Sequence, residues 1–312
     1  MRNNSFCVHR NFPPTPAREN LEQPANMKPT AMFRIILLSV LIITTNLLQA
    51  QHSVSGYIIS GNDSIFYETV GSGDVIILIH DGLIHREVWD NQFSDFAKDH
   101  KVIRYDRRGY GKSSPAEGIY SHLDDLDSLF SQLKIGKACL IACSSGGALA
   151  IDFTLKYPEK VSSLVLVGAV VGGFSYTRHF ITRGGHLPSS FNDDQEESLY
   201  YASDDPYLIY SKNTAARERA IELVKNNPQR VYNRPRYIRQ PIPAYQRLNE
   251  IKVPVLIMAG EFDIPDVHAH AGAINAGIPD SRRIIIPDAG HLVPLEQPAL
   301  FNEAVTEFLN SL

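Results

Sequence analysis

The chain has 312 residues, 44% of them hydrophobic and 21% charged, which is the composition of a globular protein and excludes a disordered, collagenous or disulfide-stapled chain. Thirty basic residues against 34 acidic ones leave a formal net charge of −4, without the basic excess or Lys/Arg stripe expected of a nucleic-acid binder. Three cysteines with no C-x-x-C pair argue against a disulfide framework and a structural zinc site.

Residues 1–26 are polar and carry Pro13, Pro14, Pro16 and Pro24 without apolar periodicity. They read as a non-structured extension or a mis-assigned start, with translation expected to begin at Met27 or Met32. The basic stretch from Met27 to Arg34, the apolar run Ile35 to Leu48 and Ala50 make residues 27–50 a secretory signal peptide, cleaved after Ala50. The run is shorter than the roughly 20 residues of a comfortable membrane span. A retained N-terminal anchor is the competing reading. The mature chain, 51–312, is then expected in the periplasm or outside the cell, with no stable membrane span. Its Cys139 and Cys143 lie four residues apart on an apparent strand, about 13 Å along an extended chain, too far for a disulfide.

The region Val54 to Tyr67, with Gly61-Asn62 as its turn, predicts an antiparallel hairpin at a sheet edge. Short apolar, β-branched runs follow at 75–79, 101–105, 138–142, 163–167, 255–258 and 283–286, each the mark of a buried strand. Between them, Leu123, Leu126, Phe130 and Leu133 share one helical face, and 147–157 and 298–309 behave likewise. Strands separated by helices predict one α/β domain, a mostly parallel sheet covered on both sides. Residues 171–250 lack strand-like runs and read as a largely helical insertion, large enough to cover a site. Its aromatic residues, among them Phe180, Phe191, Tyr200, Tyr201, Tyr207 and Tyr210, are expected mainly to form the insertion's own core.

Four motifs fall at strand ends. Leu140-Ile-Ala-Cys-Ser144-Ser145-Gly146-Gly147 joins a strand to a helix and matches the G-x-S-x-G nucleophile elbow, except that Ala142 replaces the first glycine. An elbow forces its serine into a strained turn, so the residues two away must be tiny. His80-Asp81-Gly82 follows the first buried strand, where a loop can aim a second N–H at the same oxyanion as the Ser145 N–H. Met258-Ala-Gly-Glu-Phe-Asp263 offers a carboxylate, and Asp288-Ala-Gly-His291 an imidazole. A serine hydroxyl needs a base, and the base needs a group that sets its tautomer. Asp266 is the runner-up acid and reads as a loop residue. His268-Ala-His270 has metal-like spacing, but no further ligand cluster follows, so no metal site is expected.

With those residues in view, the chain from about Gly56 to Leu312 resembles the α/β-hydrolase superfamily, in its Ser-Asp-His branch with a helical lid. Tyr105-Asp-Arg-Arg-Gly-Tyr-Gly-Lys-Ser113 is similar to that family's D-x-R-G-x-G-x-S segment. The resemblance implies a doubly wound, mostly parallel eight-stranded sheet, with the lid at about 171–250. It implies Ser144 as nucleophile, Asp263 as acid and His291 as base, the backbone amides of Gly82 and Ser145 as oxyanion hole, and Asp106 and Arg107 as structural braces. Two positions depart from the family pattern: Asp81 stands where the family has glycine, and Cys143 where it often has histidine.

The expected activity is hydrolysis of a carboxylic ester or lactone through an acyl-enzyme on Ser144, with no cofactor. Carbon–carbon bond hydrolases, aminopeptidases and cofactor-free haloperoxidases share the triad, and a non-catalytic ligand-binding or sensing protein on the same fold is the reading from another class. His85, Trp89 and Cys143 are candidate substrate-pocket residues, and Arg178, Arg183, Arg234 and Arg236 candidate partners for an acidic substrate. The expected partner is a small ester-like molecule rather than nucleic acid, with the chain a monomer or a dimer.

Overall fold

The structure, a computed structural model, describes residues 53–227 and 240–312, together with the backbone of 236–237. The expected signal peptide at 27–50, the expected extension before it, Arg234 and the side chain of Arg236 lie outside the described residues.

Eight strands form one sheet: β1 (Val54–Ser60), β2 (Asp63–Val70), β3 (Val75–Ile79), β4 (Lys101–Tyr105), β5 (Ala138–Cys143), β6 (Val161–Val167), β7 (Val255–Gly260) and β8 (Ser281–Ile286). Their spatial order is β1-β2-β4-β3-β5-β6-β7-β8. The hairpin β1–β2 and the pair β2–β4 are antiparallel, and every other pair is parallel. All six sequence-predicted runs became strands, and the first five are buried along most of their length. Along β3, Ile76 and Leu78 pack on one face of the sheet while Ile77 and Ile79 pack on the other. The last run differs: β8 closes the sheet, and of its six residues only Ile286 is buried. At the opposite edge, the Gln132 side chain accepts from the Ile59 N–H (3.0 Å) and donates to the Ile59 carbonyl (2.6 Å). Those two bonds occupy backbone groups through which an edge strand would pair with another chain.

Helices cover both faces. The first apolar layer joins the sheet to α1 (Asp90–Phe96) and the C-terminal helix Pro298–Asn310; the second joins it to α2 (His122–Gln132) and α3 (Ser145–Lys156). Helix α2 begins where Ser121 accepts a hydrogen bond from the Asp124 N–H, and it buries Leu123, Leu126, Leu129 and Phe130. Strand β3 lies between β4 and β5, so the chain leaving its carboxyl end diverges from the chain leaving β5. That is the point in a doubly wound sheet where a crevice opens.

Between β6 and β7 the described residues include a one-turn helix Arg178–Ile181, α4 (Asp194–Ser203) and α5 (Thr214–Lys225). Asp193 and Asn213 cap α4 and α5 through the N–H groups of Glu196 and Ala216. Ala216, Ala220, Leu223 and Val224 of α5 join the same apolar layer as Trp89. The insertion also contributes a two-residue strand, Arg236–Tyr237, paired with Ile119–Tyr120. After β7 come α6 (Pro265–Gly277) and, after β8, the C-terminal helix, hereafter α7. No helix among the described residues is long and apolar enough to cross a membrane.

Candidate active site

The turn from β5 into α3 carries Ser144 at φ 53°, ψ −119°, a conformation that costs a non-glycine residue about 1–3 kcal/mol. Its surroundings leave no room for larger neighbours. A Cβ at Gly146 would lie 2.8 Å from the Ile79 carbonyl oxygen and closer still to that of His80, and one at Gly147 would lie 3.2 Å from the Ala169 Cα. Ala142, two residues before the serine, is fully buried within the second apolar layer, so the methyl group that replaces the family's glycine is accommodated as core. The Ser144 N–H donates to the Val167 carbonyl (2.9 Å), and its own carbonyl accepts from Gly147 N–H (2.9 Å). Ser145 is the first residue of α3, where a backbone N–H has no intrahelical acceptor.

The loop after β3 explains the first departure from the family pattern. Asp81 Oδ1 accepts from the N–H groups of Leu83 and Ile84 (3.0 Å to the latter), so the carboxylate is the cap of a tight turn. His80, completely buried, donates from Nδ1 to the Asp81 carbonyl (2.7 Å) and accepts at Nε2 from the Arg107 N–H (2.9 Å). The bracing expected of Asp106 is present: its carboxylate accepts from Arg86 N–H (3.0 Å), Arg86 Nη1 (2.9 Å) and Lys112 N–H (2.9 Å). Arg107 departs from its expected role. The arginine that braces the loop after β4 is Arg108, bonded to Asp125, Asp63 and the Ser60 carbonyl, whereas Arg107 reaches across to the β3 loop.

Asp263 and His291 meet although 28 residues separate them. Asp263 Oδ2 lies 2.8 Å from His291 Nδ1, and its Oδ1 accepts from the Ile264 N–H (2.7 Å). A carboxylate at Nδ1 fixes the proton there and leaves Nε2 as the free basic nitrogen. Burial opposes an imidazolium, but the Asp263 charge and hydrogen bond outweigh it and hold the His291 pKa above the ordinary 6.5. A Cβ at Gly168 would lie 3.0 Å from His291 Nδ1, and the adjoining Val167 carbonyl is the acceptor for Ser144 N–H. Gly168 thus borders the His291 ring and adjoins the residue that holds the Ser144 backbone. Asp266 points elsewhere, into the insertion, accepting from Thr177 N–H (2.7 Å) and Oγ1 (2.9 Å).

Long-range bonds anchor the imidazole loop. The His291 N–H donates to the carbonyls of Tyr207 and Leu208, both at 2.9 Å, in the insertion. Glu296, buried, accepts from Gly290 N–H (2.9 Å) and Tyr210 N–H (2.6 Å). Burial pushes its carboxyl up to about 7 despite those two bonds. Nothing in the local pattern of 287–297 marks Glu296 for this work, because its partners come from distant parts of the chain.

The candidate pocket residues His85, Trp89 and Cys143 are all buried. Trp89 is fully buried, its ring 6.0 Å from that of Phe301, and Cys143 is 1% exposed in the same apolar layer. Burial, followed by the charges of Asp81 and Asp263, pushes the Cys143 thiol well above its ordinary range; Cys139 and Cys143 are both free thiols. His85 is buried 3.9 Å from the Asp106 carboxylate. Of the arginines considered for an acidic substrate, Arg183 is buried, paired with Asp205 and surrounded by the rings of Phe180, Tyr201 and Tyr207. His270 is also buried, accepting from Val171 N–H (3.1 Å), and no metal-binding cluster occurs among the described residues.

A strained serine at a strand-to-helix turn and a buried carboxylate bonded to an imidazole are the candidate catalytic groups. Residues 76–304 match the model of the alpha/beta hydrolase family, and the chain belongs to that family. It is 30% identical over 272 residues to a putative 2-succinyl-6-hydroxy-2,4-cyclohexadiene-1-carboxylate synthase of Bacillus subtilis, covering 81% of this chain and 98% of that protein. It is 29% identical to a 2-hydroxy-6-oxononadienedioate/2-hydroxy-6-oxononatrienedioate hydrolase of Paraburkholderia phymatum, covering 78% and 90%. A thermophilic esterase from Thermogutta terrifontis has the same fold, with a TM-score of 0.68 at 24% identity over 83% of this chain and 98% of that one. The protein is an enzyme of the hydrolase class.

Proposed function

We propose that the protein is an exported serine hydrolase that cleaves a carboxylic ester or lactone through an acyl-enzyme on Ser144. The observation that carries this reading is the strained Ser144 turn, bordered through Gly168 by an imidazole whose Nδ1 is held at 2.8 Å by a buried carboxylate. In the reaction, His291 Nε2 takes the hydroxyl proton as Ser144 Oγ attacks the carbonyl carbon. The N–H groups of Gly82 and Ser145 receive the developing oxyanion, at about 3 kcal/mol of transition-state stabilisation each. The imidazolium then protonates the departing alcohol, and water deprotonated by the same nitrogen releases the acid. Asp263 raises the basicity that lets His291 hold the proton between these transfers. None of these steps needs a metal or organic cofactor. Export rests on the basic, apolar and small-residue pattern of residues 27–50.

A second reading is cleavage of a carbon–carbon bond in a 6-oxo-dienedioate of the kind for which the Paraburkholderia relative is named, favoured by 29% identity over 265 residues. One experiment separates the readings. The protein is treated with a fluorophosphonate and weighed intact beside Ser144→Ala, then assayed on aryl esters, lactones and a 6-oxo-dienedioate. A single adduct lost in the variant, with ester or lactone turnover, is the expected result. Turnover of the dienedioate alone selects the second reading, and a folded protein that takes up no adduct overturns both.

A further inference from the structure

Arg107 occupies the unspecified position of the D-x-R-G-x-G-x-S segment, and Asp81 stands where the family has glycine. The structure joins these two positions. Arg107, only 4% exposed, donates from Nη2 to the Asp81 carbonyl at 2.7 Å and to Ser145 Oγ at 3.0 Å. Its backbone N–H donates to His80 Nε2, and His80 Nδ1 donates to the same Asp81 carbonyl. These bonds fix His80 as the neutral Nδ1–H tautomer; burial and then the Arg107 charge hold its pKa well below the ordinary value. The Asp81 carbonyl therefore has two converging donors, and His80 and Arg107 are tied to each other.

The consequence follows from peptide geometry. In a trans peptide the carbonyl and the N–H point in opposite directions, so holding the Asp81 oxygen toward Arg107 turns the Gly82 N–H away from it. A flipped Asp81–Gly82 peptide would aim a carbonyl lone pair, instead of a donor, at an oxyanion. Gly82 and Ser145 abut, since a Cβ at Gly82 would lie 3.0 Å from Ser145 Oγ. One guanidinium nitrogen thus bonds to the residue before the first donor amide and to the residue that carries the second. The guanidinium bonds are to neutral oxygens, with the Tyr110 ring 5.1 Å from Cζ. A buried cation with neutral partners complements negative charge that forms only during reaction.

We propose that Arg107 is a positioning residue of the oxyanion hole, locking the Asp81–Gly82 peptide in its donating orientation and placing a positive charge behind the two donor amides. The inference rests on Ser144 being the nucleophile. Its test uses Arg107→Met and Arg107→Lys in the full-length protein, on the best ester or lactone from the substrate panel. For each, kcat, KM, melting temperature and the affinities of a boronic acid and of a non-hydrolysable substrate analogue are measured. Arg107→Met is expected to lower kcat about 10²-fold, with KM changed less than about threefold. Boronate affinity falls in parallel with kcat while analogue affinity holds. Arg107→Lys recovers part of the loss because it keeps the charge without the forked geometry. A folded Arg107→Met with unchanged kcat overturns the proposal, as do equal losses of boronate and analogue affinity, which mark a brace of the whole site. Should Arg107→Met fail to fold, Arg107→Lys decides by the same ratio of affinities. Wild-type protein that never labels at Ser144 overturns the nucleophile reading and this inference with it; normal labelling with a silent Arg107 substitution overturns the inference alone.

Discussion

The two halves of the candidate site are held in place by different physics. The serine half is set by exclusion: beside Ser144, at φ 53°, the carbonyls of His80 and Ile79 and the chain at Ala169 leave no room for a side chain at Gly146 or Gly147. The imidazole half is set by attachment. Asp263 reaches His291 across 28 residues, the insertion's Tyr207 and Leu208 carbonyls hold the His291 N–H, and Glu296 ties Gly290 to Tyr210. A part fixed by exclusion fails when an atom is added. A part fixed by attachment fails when a partner is removed, even if no volume changes.

The sharpest way to break that comparison is to remove a charge at constant size. Asp263→Asn is expected to lower kcat about 10⁴-fold, because an amide can present its N–H₂ to Nδ1 and favour the wrong tautomer. The acid limb of the rate, which Asp263 holds above the ordinary imidazole value of 6.5, should move downward in the same variant. Asp266→Asn loses only bonds to Thr177 and is expected to keep kcat, with a stability cost of about 1 kcal/mol. Steady-state rates on one substrate compare the two; equal losses would remove Asp263 from its role.

The serine half is tested by adding one methyl group. Gly146→Ala drives a Cβ against two carbonyl oxygens of the neighbouring strand end and is expected to cost about 3 kcal/mol or more in chemical denaturation. Activity should fall with it, since the relief must come from moving the Ser144 turn or the β3 loop. A variant as stable and active as wild type would show that the turn is not held by exclusion.

A further effect is expected in the pH dependence of stability. Glu296 has its carboxyl raised from an ordinary 4.5 to about 7 by burial, so between those values the folded state keeps a proton that the unfolded state has lost. Stability therefore declines as pH rises through that window, by at most about 3 kcal/mol. The raised His291 pKa works in the same direction at higher pH, its contribution being present below the unfolded value and lost as pH rises through the folded one. Glu296→Gln should flatten the decline of melting temperature between pH 4.5 and 7 while leaving the higher-pH part. An unchanged slope would mean that Glu296 does not bear that proton.

Chain order alone was enough for the class of fold and for nominating Ser144, Asp263 and His291, of which Asp263 and His291 are in contact. The parallel strands are short, largely apolar runs, helix α2 repeats its apolar positions every three to four residues, and Ser144 sits in a turn whose small neighbours are adjacent in sequence. Such patterns are local, and local sterics and burial preference enforce them wherever the segment ends up. Tertiary structure decided what local pattern does not encode. It sent Arg107 to the β3 loop and left the bracing to Arg108, turned Asp266 toward Thr177, put Trp89 and Cys143 into the core, and brought Glu296 under the His291 loop. Each of these outcomes depends on which strand lies beside which and on where the insertion folds back. A side chain's partner is fixed by that crossing of distant segments, and its own neighbours in sequence carry no record of it.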